Sequence, residues 1–384
     1  MPTPDVPPHG EAVVRVPFRA PSGDGGDYRL NLGFSLAKST LWASRGFEVA
    51  WAQFDLPVEC AAPAPRRVQE MPKVRVEDTA EAIVVSGDDF RLVFDRWTAA
   101  ITAWQQAGLE LVLAGPKPQL WRAPTDNDVH IARQWRMAGL DRLMPRVESV
   151  CVESAQPTAV RIAALQTLTA YGVATKIEWY SAYTVYGTGD VVVESRFVPL
   201  DLHVADWSKR EALTQLPRLG WRMILPAEYD RFTWYGRGPH ESYVDRREST
   251  RFGVYSGSVA EQLVPYIKPQ ENGNKSDVRW ASVTDIRGRG VLVAGMPSFE
   301  VSVHHLRAED FTQARHHHEL QPRKETVLNV DYAHNGLGSN SCGPVPLEKY
   351  WLKPAPVRFA VRLKPVAAEE MSLMAASRCV PEPV

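Results

Sequence analysis

A chain of 384 residues has room for two or three domains at roughly 150 residues each, and all-β domains run larger. Forty-four basic against 45 acidic side chains leave a formal charge of −1, which excludes a global field able to hold nucleic acid or an anionic membrane. A composition 44% hydrophobic and 23% charged excludes wholesale disorder. The chain opens Met1-Pro2-Thr3-Pro4-Asp5-Val6-Pro7-Pro8, with neither the basic nor the apolar region of a secretory signal. No apolar run approaches the ~18 residues of a spanning helix. Residues 11–20 alternate loosely and predict a strand, the run Ser22 to Asp27 predicts a turn, and residues 28–34 and 48–56 alternate with period two. These read as the end of a small sandwich, residues 1–62, followed by a proline-rich linker over 63–72.

From about Val74 the strand pattern resumes. Runs at 82–87, 90–95 and 101–104, separated by short turns, predict a meander. One helix is expected: after Asp126-Asn127-Asp128, which suit a capping end, Ile131, Trp135, Leu140 and Leu143 recur near helical spacing through Met144. Long strands are predicted over 160–168, 175–186, 191–197, 221–225, 290–294 and 300–304. Thirty prolines break helices throughout, and 12 tryptophans supply large aromatics for a core. The expected fold is all-β: a large antiparallel two-sheet sandwich over 73–384 with one short helix.

Four cysteines (Cys60, Cys151, Cys342, Cys379) form no CxxC pair, which argues against a zinc ribbon or a disulfide framework. The expectation is a reduced, cytoplasmic protein. On a strand His316 and His318 would share a face, but no acid or cysteine stands at a recognisable ligand spacing, so the histidine run reads as solvated and no metal site is expected. GxGxxG, GxxxxGK[ST] and GxSxG are all absent.

Four polar, Gly/Pro-rich stretches are too specific for plain connections. They are Trp121-Arg122-Ala123-Pro124-Thr125-Asp126-Asn127-Asp128; Trp234-Tyr235-Gly236-Arg237-Gly238-Pro239-His240-Glu241-Ser242-Tyr243-Val244-Asp245-Arg246; Pro265-Tyr266-Ile267-Lys268-Pro269-Gln270-Glu271-Asn272-Gly273-Asn274-Lys275; and Asn335-Gly336-Leu337-Gly338-Ser339-Asn340-Ser341-Cys342-Gly343-Pro344. In order and content they resemble the C-terminal, small-chain domain of the bacterial β-galactosidases of glycoside hydrolase family 2, over about residues 73–384. Residues 1–60 resemble, more weakly, the tail of that family's preceding immunoglobulin-like domain.

The resemblance implies a β-supersandwich similar to galactose mutarotase, and a part in hydrolysing terminal β-D-galactosides. In the family, the acid/base and nucleophile glutamates and the magnesium and sodium ligands belong mainly to a TIM barrel that precedes this region. A retaining mechanism sets two carboxyl groups about 5–5.5 Å apart across the scissile bond, and neither is expected in this chain. It carries no catalytic residue or cofactor on this reading and is inactive alone. It pairs with a catalytic chain or domain bearing the barrel, in an oligomer. Its share is the wall of the galactoside pocket: Asn340, Ser341 and Cys342, with Arg237, His240 and Glu241 on a second loop. The best-known member has a sugar-stacking tryptophan where Cys342 stands, and a thiol lacks that flat face. Arg122, Asp126, Asn127 and Asp128 are expected to form a buried polar network at the helix start. Glu271 and Asn272 are expected in a tight turn, Glu271 accepting backbone N–H bonds.

Two other readings use the same residues. A stand-alone carbohydrate-binding module needs no partner. An aldose 1-epimerase needs a general base and acid across the pyranose, for which Glu271 and one of His240, His304 or His334 are candidates.

Overall fold

The computed structural model describes residues 4–19, 21, 26–58, 63–205, 210–367 and 372–382. They divide into two compact units, Met1–Ala64 and Pro65–Val384. In the first, Arg29–Ser35 and Glu48–Asp55 pair antiparallel, with Arg29 and Asp55 in register and ion-paired at 2.7 Å. The predicted strand over 11–20 does not form in its described part, 11–19. Pro17 there has no N–H to give a ladder. Most of the predicted turn after it, and Cys60, lie outside the described residues. Residues 66–71, expected as linker, belong to the second unit. Arg66 bridges to Pro381, and Val68 and Met71 are buried against Ala159, Tyr186 and Val192.

The second unit is one antiparallel network. From one margin, Leu143–Gln156 pairs with Ala159–Ala170, followed by Lys176–Tyr186, Val191–Asp201 and Val357–Val366. Val357–Val366 lies beside the first part of Gly290–His304, while the second part of that strand pairs with Thr326–His334. One strand therefore serves two layers. Thr326–His334 leads through Arg218–Leu225 and Ala114–Gln119 to the meander of Arg75–Asp78, Ala82–Ser86, Phe90–Asp95 and Ala100–Gln106. Lys275–Thr284, Arg231–Gly238 and Arg251–Ser258 branch from Gly290–His304.

Between the layers lies one dominant apolar cluster in which Trp104, Trp135, Trp179 and Trp221 are fully buried. Each aromatic of this size removes on the order of 150–250 Å² from water, which is why tryptophan-rich strands collapse face to face. Trp42 and Trp97 are exceptions and stand exposed.

The helix after Asp126-Asn127-Asp128 is shorter than its periodicity predicts and starts later. The three residues form a 3-10 turn capped by Thr125, and the α-helix spans Ile131–Met137. Gly139 at φ 74° stops it, and Leu143 begins the long strand Leu143–Gln156. Leu140 and Leu143 keep the apolar rhythm because both pack on the core, so burial imitated helical spacing. Two further short helices, Ala308–Gln313 and Leu373–Arg378, lay below the length that periodicity detects. No helix among the described residues is long and apolar enough to cross a membrane.

Candidate functional site

All four motif stretches, apart by up to about two hundred residues in sequence, meet at one end of the sandwich. Arg122 is the central tie. Its side chain is fully buried, and it grips Asp128 with two bonds, Nε to Oδ2 at 3.1 Å and Nη2 to Oδ1 at 2.7 Å. It also donates to the carbonyls of Asn335 at 2.6 Å and Gly336 at 3.3 Å, which couples the first motif to the fourth. Burial opposes its charge, but Asp128 and then Glu271 outweigh that, and its pKa is raised. The guanidinium lies 5.3 Å from the ring centre of buried Trp135. Asp128 closes the turn by accepting the backbone N–H and hydroxyl of Thr125 at 2.8 and 3.0 Å.

The fourth motif is held at two further points. Asp245 accepts the backbone N–H groups of Leu337 and Gly338 at 2.9 and 2.7 Å. Asn127 donates to the Gly338 carbonyl at 2.7 Å and accepts from the Ser341 hydroxyl and N–H at 2.8 and 3.2 Å. Gly338 sits at φ 61°, where a β-carbon would also strike Pro346, so only glycine fits. Base and shoulder of the loop are thus fixed, while Ser341 and Cys342 are exposed and Asn340 is half-buried beside them.

Motif three joins motif one through Gln270, which accepts the Asp126 N–H at 3.0 Å. Asp126 itself is exposed and 3.8 Å from Lys268, so it stays outside the buried network expected for it. Glu241 is buried and accepts from Arg246, from the Tyr266 hydroxyl, and from the Gly273 N–H at 2.8 Å. Asn272 Oδ1 accepts the Val264 N–H at 3.0 Å. The turn-closing acceptors expected of Glu271 are therefore Glu241 and Asn272. Glu271 instead lies 3.5 Å from buried Arg218. Its neighbour Gly273 has φ 77° and His304 packed where a side chain would go, so the turn can pass close to that ring.

Under these loops lies a second charged knot absent from the sequence reading. Arg218 clamps Asp331 with both Nε and Nη2, and His334 Nε2 lies 3.2 Å from the same carboxylate. All three are buried. Burial resists ionising Asp331, but Arg218 outweighs it and the pKa is lowered, whereas burial and then Arg218 push His334 down. Tyr243 is raised well above its ordinary value by burial and then by Glu271, its ring edge-on to His334 at 5.7 Å. The Tyr243 hydroxyl and His334 Nδ1 find no partner among the described residues.

Arg237 and His240 are not tied into this assembly. Arg237 turns to Asp277 at 2.6 Å and to the carbonyls of Arg247 and Thr250, and exposed His240 has its Nε2 3.0 Å from the Ser249 hydroxyl. The two other histidines considered for proton transfer are committed as well. His304 Nε2 lies 2.9 Å from the Asn272 carbonyl, and burial brings its pKa down to about 4. Cavities of about 320 and 440 Å³ occur in the sandwich; Trp121 of the first motif lines the smaller, and no residue of the loop 335–344 lines either one. Each carboxylate of the assembly is engaged by an arginine, an N–H group or a hydroxyl. Its chemistry is to position a polar loop, with Asn340, Ser341 and Cys342 presented outward.

An antiparallel sandwich that builds one polar end from four distant loops is the class defined by this fold and site. The family described as "Beta galactosidase small chain" matches residues 86–363, and "Beta-galactosidase, domain 4" matches residues 1–57. The chain belongs to the β-galactosidase small-chain family. It is 31% identical over 341 residues to a β-galactosidase of Priestia megaterium, covering 86% of this chain and 30% of that protein. To a β-galactosidase of Halalkalibacterium halodurans it is 30% identical over 338 residues, covering 86% and 32%. The chain thus spans about a third of the length of these curated relatives. Among solved structures, a galactose 1-epimerase from Lactobacillus acidophilus NCFM aligns over 77% of this chain and 99% of its own, at 9% identity and a TM-score of 0.37, a likeness too slight to bear on fold or activity.

Proposed function

We propose that this chain forms the C-terminal part of a β-galactosidase and completes the sugar pocket of a retaining glycosidase whose bond-breaking groups lie in a barrel-bearing part outside it. The observation that carries this reading is the convergence of the four motifs on the loop 335–344, which Arg122, Asn127 and Asp245 hold from three sides. A loop so fixed at its base presents Asn340, Ser341 and Cys342 in a defined place, the prerequisite for lining a pocket. Arg237 and His240 are assigned to the rim of that pocket, and Glu241 positions the turn at Gly273. The two carboxyl groups of retaining chemistry, about 5–5.5 Å apart, are assigned to the barrel. So are magnesium and sodium, because the acids gathered here already hold cations or N–H groups of this chain. The assembled enzyme is oligomeric. A reduced, cytoplasmic setting agrees with the exposed, unpaired Cys151, Cys342 and Cys379.

The purified chain, given a chromogenic β-D-galactoside, is expected to release no chromophore. Hydrolysis is expected to appear after mixing with a barrel-bearing β-galactosidase chain. Turnover by the chain alone, surviving repurification, would overturn the reading.

A further inference from the structure

The histidine run stands apart from the loop assembly. It follows the helix Ala308–Gln313, and the 3-10 turn His317–Glu319 gathers His316, His318 and Glu319 on one side. The two imidazoles lie nearly parallel, 14° apart with centres separated by 5.4 Å. One ligand atom from each ring and one carboxylate oxygen all lie within 4.8 Å of one another. Glu319 is already oriented. Its Oε2 accepts the Arg315 N–H at 2.8 Å, while Oε1 is 3.0 Å from His316 Nδ1. Donors about 2.0–2.2 Å from a tetrahedral centre stand roughly 3.3–3.6 Å from each other, so one edge of such a site is nearly in place. The three side chains are exposed.

We propose that His316, His318 and Glu319 form a surface site for a divalent transition-metal ion of the zinc type. Two imidazole nitrogens with one carboxylate oxygen suit zinc, whereas magnesium and calcium select all-oxygen sets. Water fills the remaining coordination. Binding replaces the hydrogen bond between His316 and Glu319 by two metal–ligand bonds, and any imidazole proton displaced passes to solvent. The ion would staple the 3-10 turn His317–Glu319, which lies in the connection between the helix Ala308–Gln313 and the strand Thr326–His334.

The test is calorimetric titration with zinc chloride of the full, untagged chain in which Cys60, Cys151, Cys342 and Cys379 are serine, so that no thiolate competes. One saturable site is expected. His318→Ala and Glu319→Gln should each weaken it by about tenfold or more, as loss of a ligand exceeds the cost known for second-shell partners. Magnesium chloride should give no saturable heat. His318 makes no hydrogen bond among the described residues, so its replacement leaves the fold intact, which an unchanged circular dichroism melt without metal verifies. Absence of saturable zinc binding, or an affinity in either variant equal to that of the parent chain, would overturn the assignment.

Discussion

Replacing Arg122 by methionine tests whether the four motifs are held by a dry ion pair. The side chains of Arg122 and Asp128 are 0% and 3% exposed. Methionine fills most of the space while stranding the Asp128 carboxylate, which keeps only its bonds from Thr125, and freeing the carbonyls of Asn335 and Gly336. Breaking a buried pair from one side costs about 3–5 kcal/mol, and about 4 is taken here. For the roughly 320 residues from Pro65 to Val384, unfolding entropy near 2.1 cal/mol/K per residue sums to about 0.7 kcal/mol/K. The melting temperature should fall by about 6 °C in differential scanning calorimetry. Arg122→Met/Asp128→Leu, which removes both charges, should recover most of that loss. A single variant melting within about 1 °C of the parent would refute a desolvated pair, since a hydrated one is worth little.

Three further outcomes are expected. Asp245→Ala deletes two charge-assisted acceptors from the loop, each worth about 1.5 kcal/mol or more, so native-state amide exchange at Leu337 and Gly338 should accelerate by at least roughly tenfold while exchange in the core strands is unchanged. Burial, then Asp331, lifts the carboxyl of Glu300 to about 8 against an ordinary value of about 4.3, so its stabilising share is complete below about 4.3 and lost as pH rises through 8. Glu300→Gln should therefore gain melting temperature over the parent progressively across that window, and a gap that stays flat would disprove it. Burial lowers the ammonium of Lys275, 4.9 Å from the Trp234 ring centre, to about 8 against an ordinary value near 10.4. Its favourable share is present above about 10.4 and lost as pH falls through 8, so Lys275→Met should stabilise the chain at pH 7 in urea titrations and less so at pH 10.

Period-two alternation located Ala159–Ala170, Lys176–Tyr186, Val191–Asp201, part of Arg218–Leu225 and both ends of Gly290–His304, because a face buried against a sandwich core writes itself directly into local sequence, whereas Lys275–Thr284, Thr326–His334 and Val357–Val366 were not predicted. The margin strand Leu143–Gln156 was missed for the opposite reason. It is largely solvent-facing, and its first residue continued the rhythm of the helix before it. The four motifs stood out by composition, and their meeting is what the structure adds. Arg218 and Asp331 lie on neighbouring strands 113 positions apart, with Gly220 and Asp331 in register. No local spacing records a cross-strand pair of that kind. Asp245 was within reach, since it closes a quoted motif, but a carboxylate that caps two N–H groups of a distant loop looks like any other acid in sequence. The histidine run was weighed on strand spacing, and the 3-10 turn brings Glu319 to a place that strand geometry would not.

The loop 335–344 separates scaffold from tip. Its fixed points are Asn127, Asp245 and the glycine at 338, whereas Cys342 donates only its backbone N–H, to the Ser339 carbonyl, and its thiol lies 3.9 Å from the Ser341 hydroxyl. Exchanging an exposed side chain with so few attachments ordinarily alters folding free energy by no more than about 0.5 kcal/mol. Position 342 is consequently a cheap evolutionary dial: tryptophan, cysteine or another residue can be tried there over generations while the surrounding architecture is inherited unchanged.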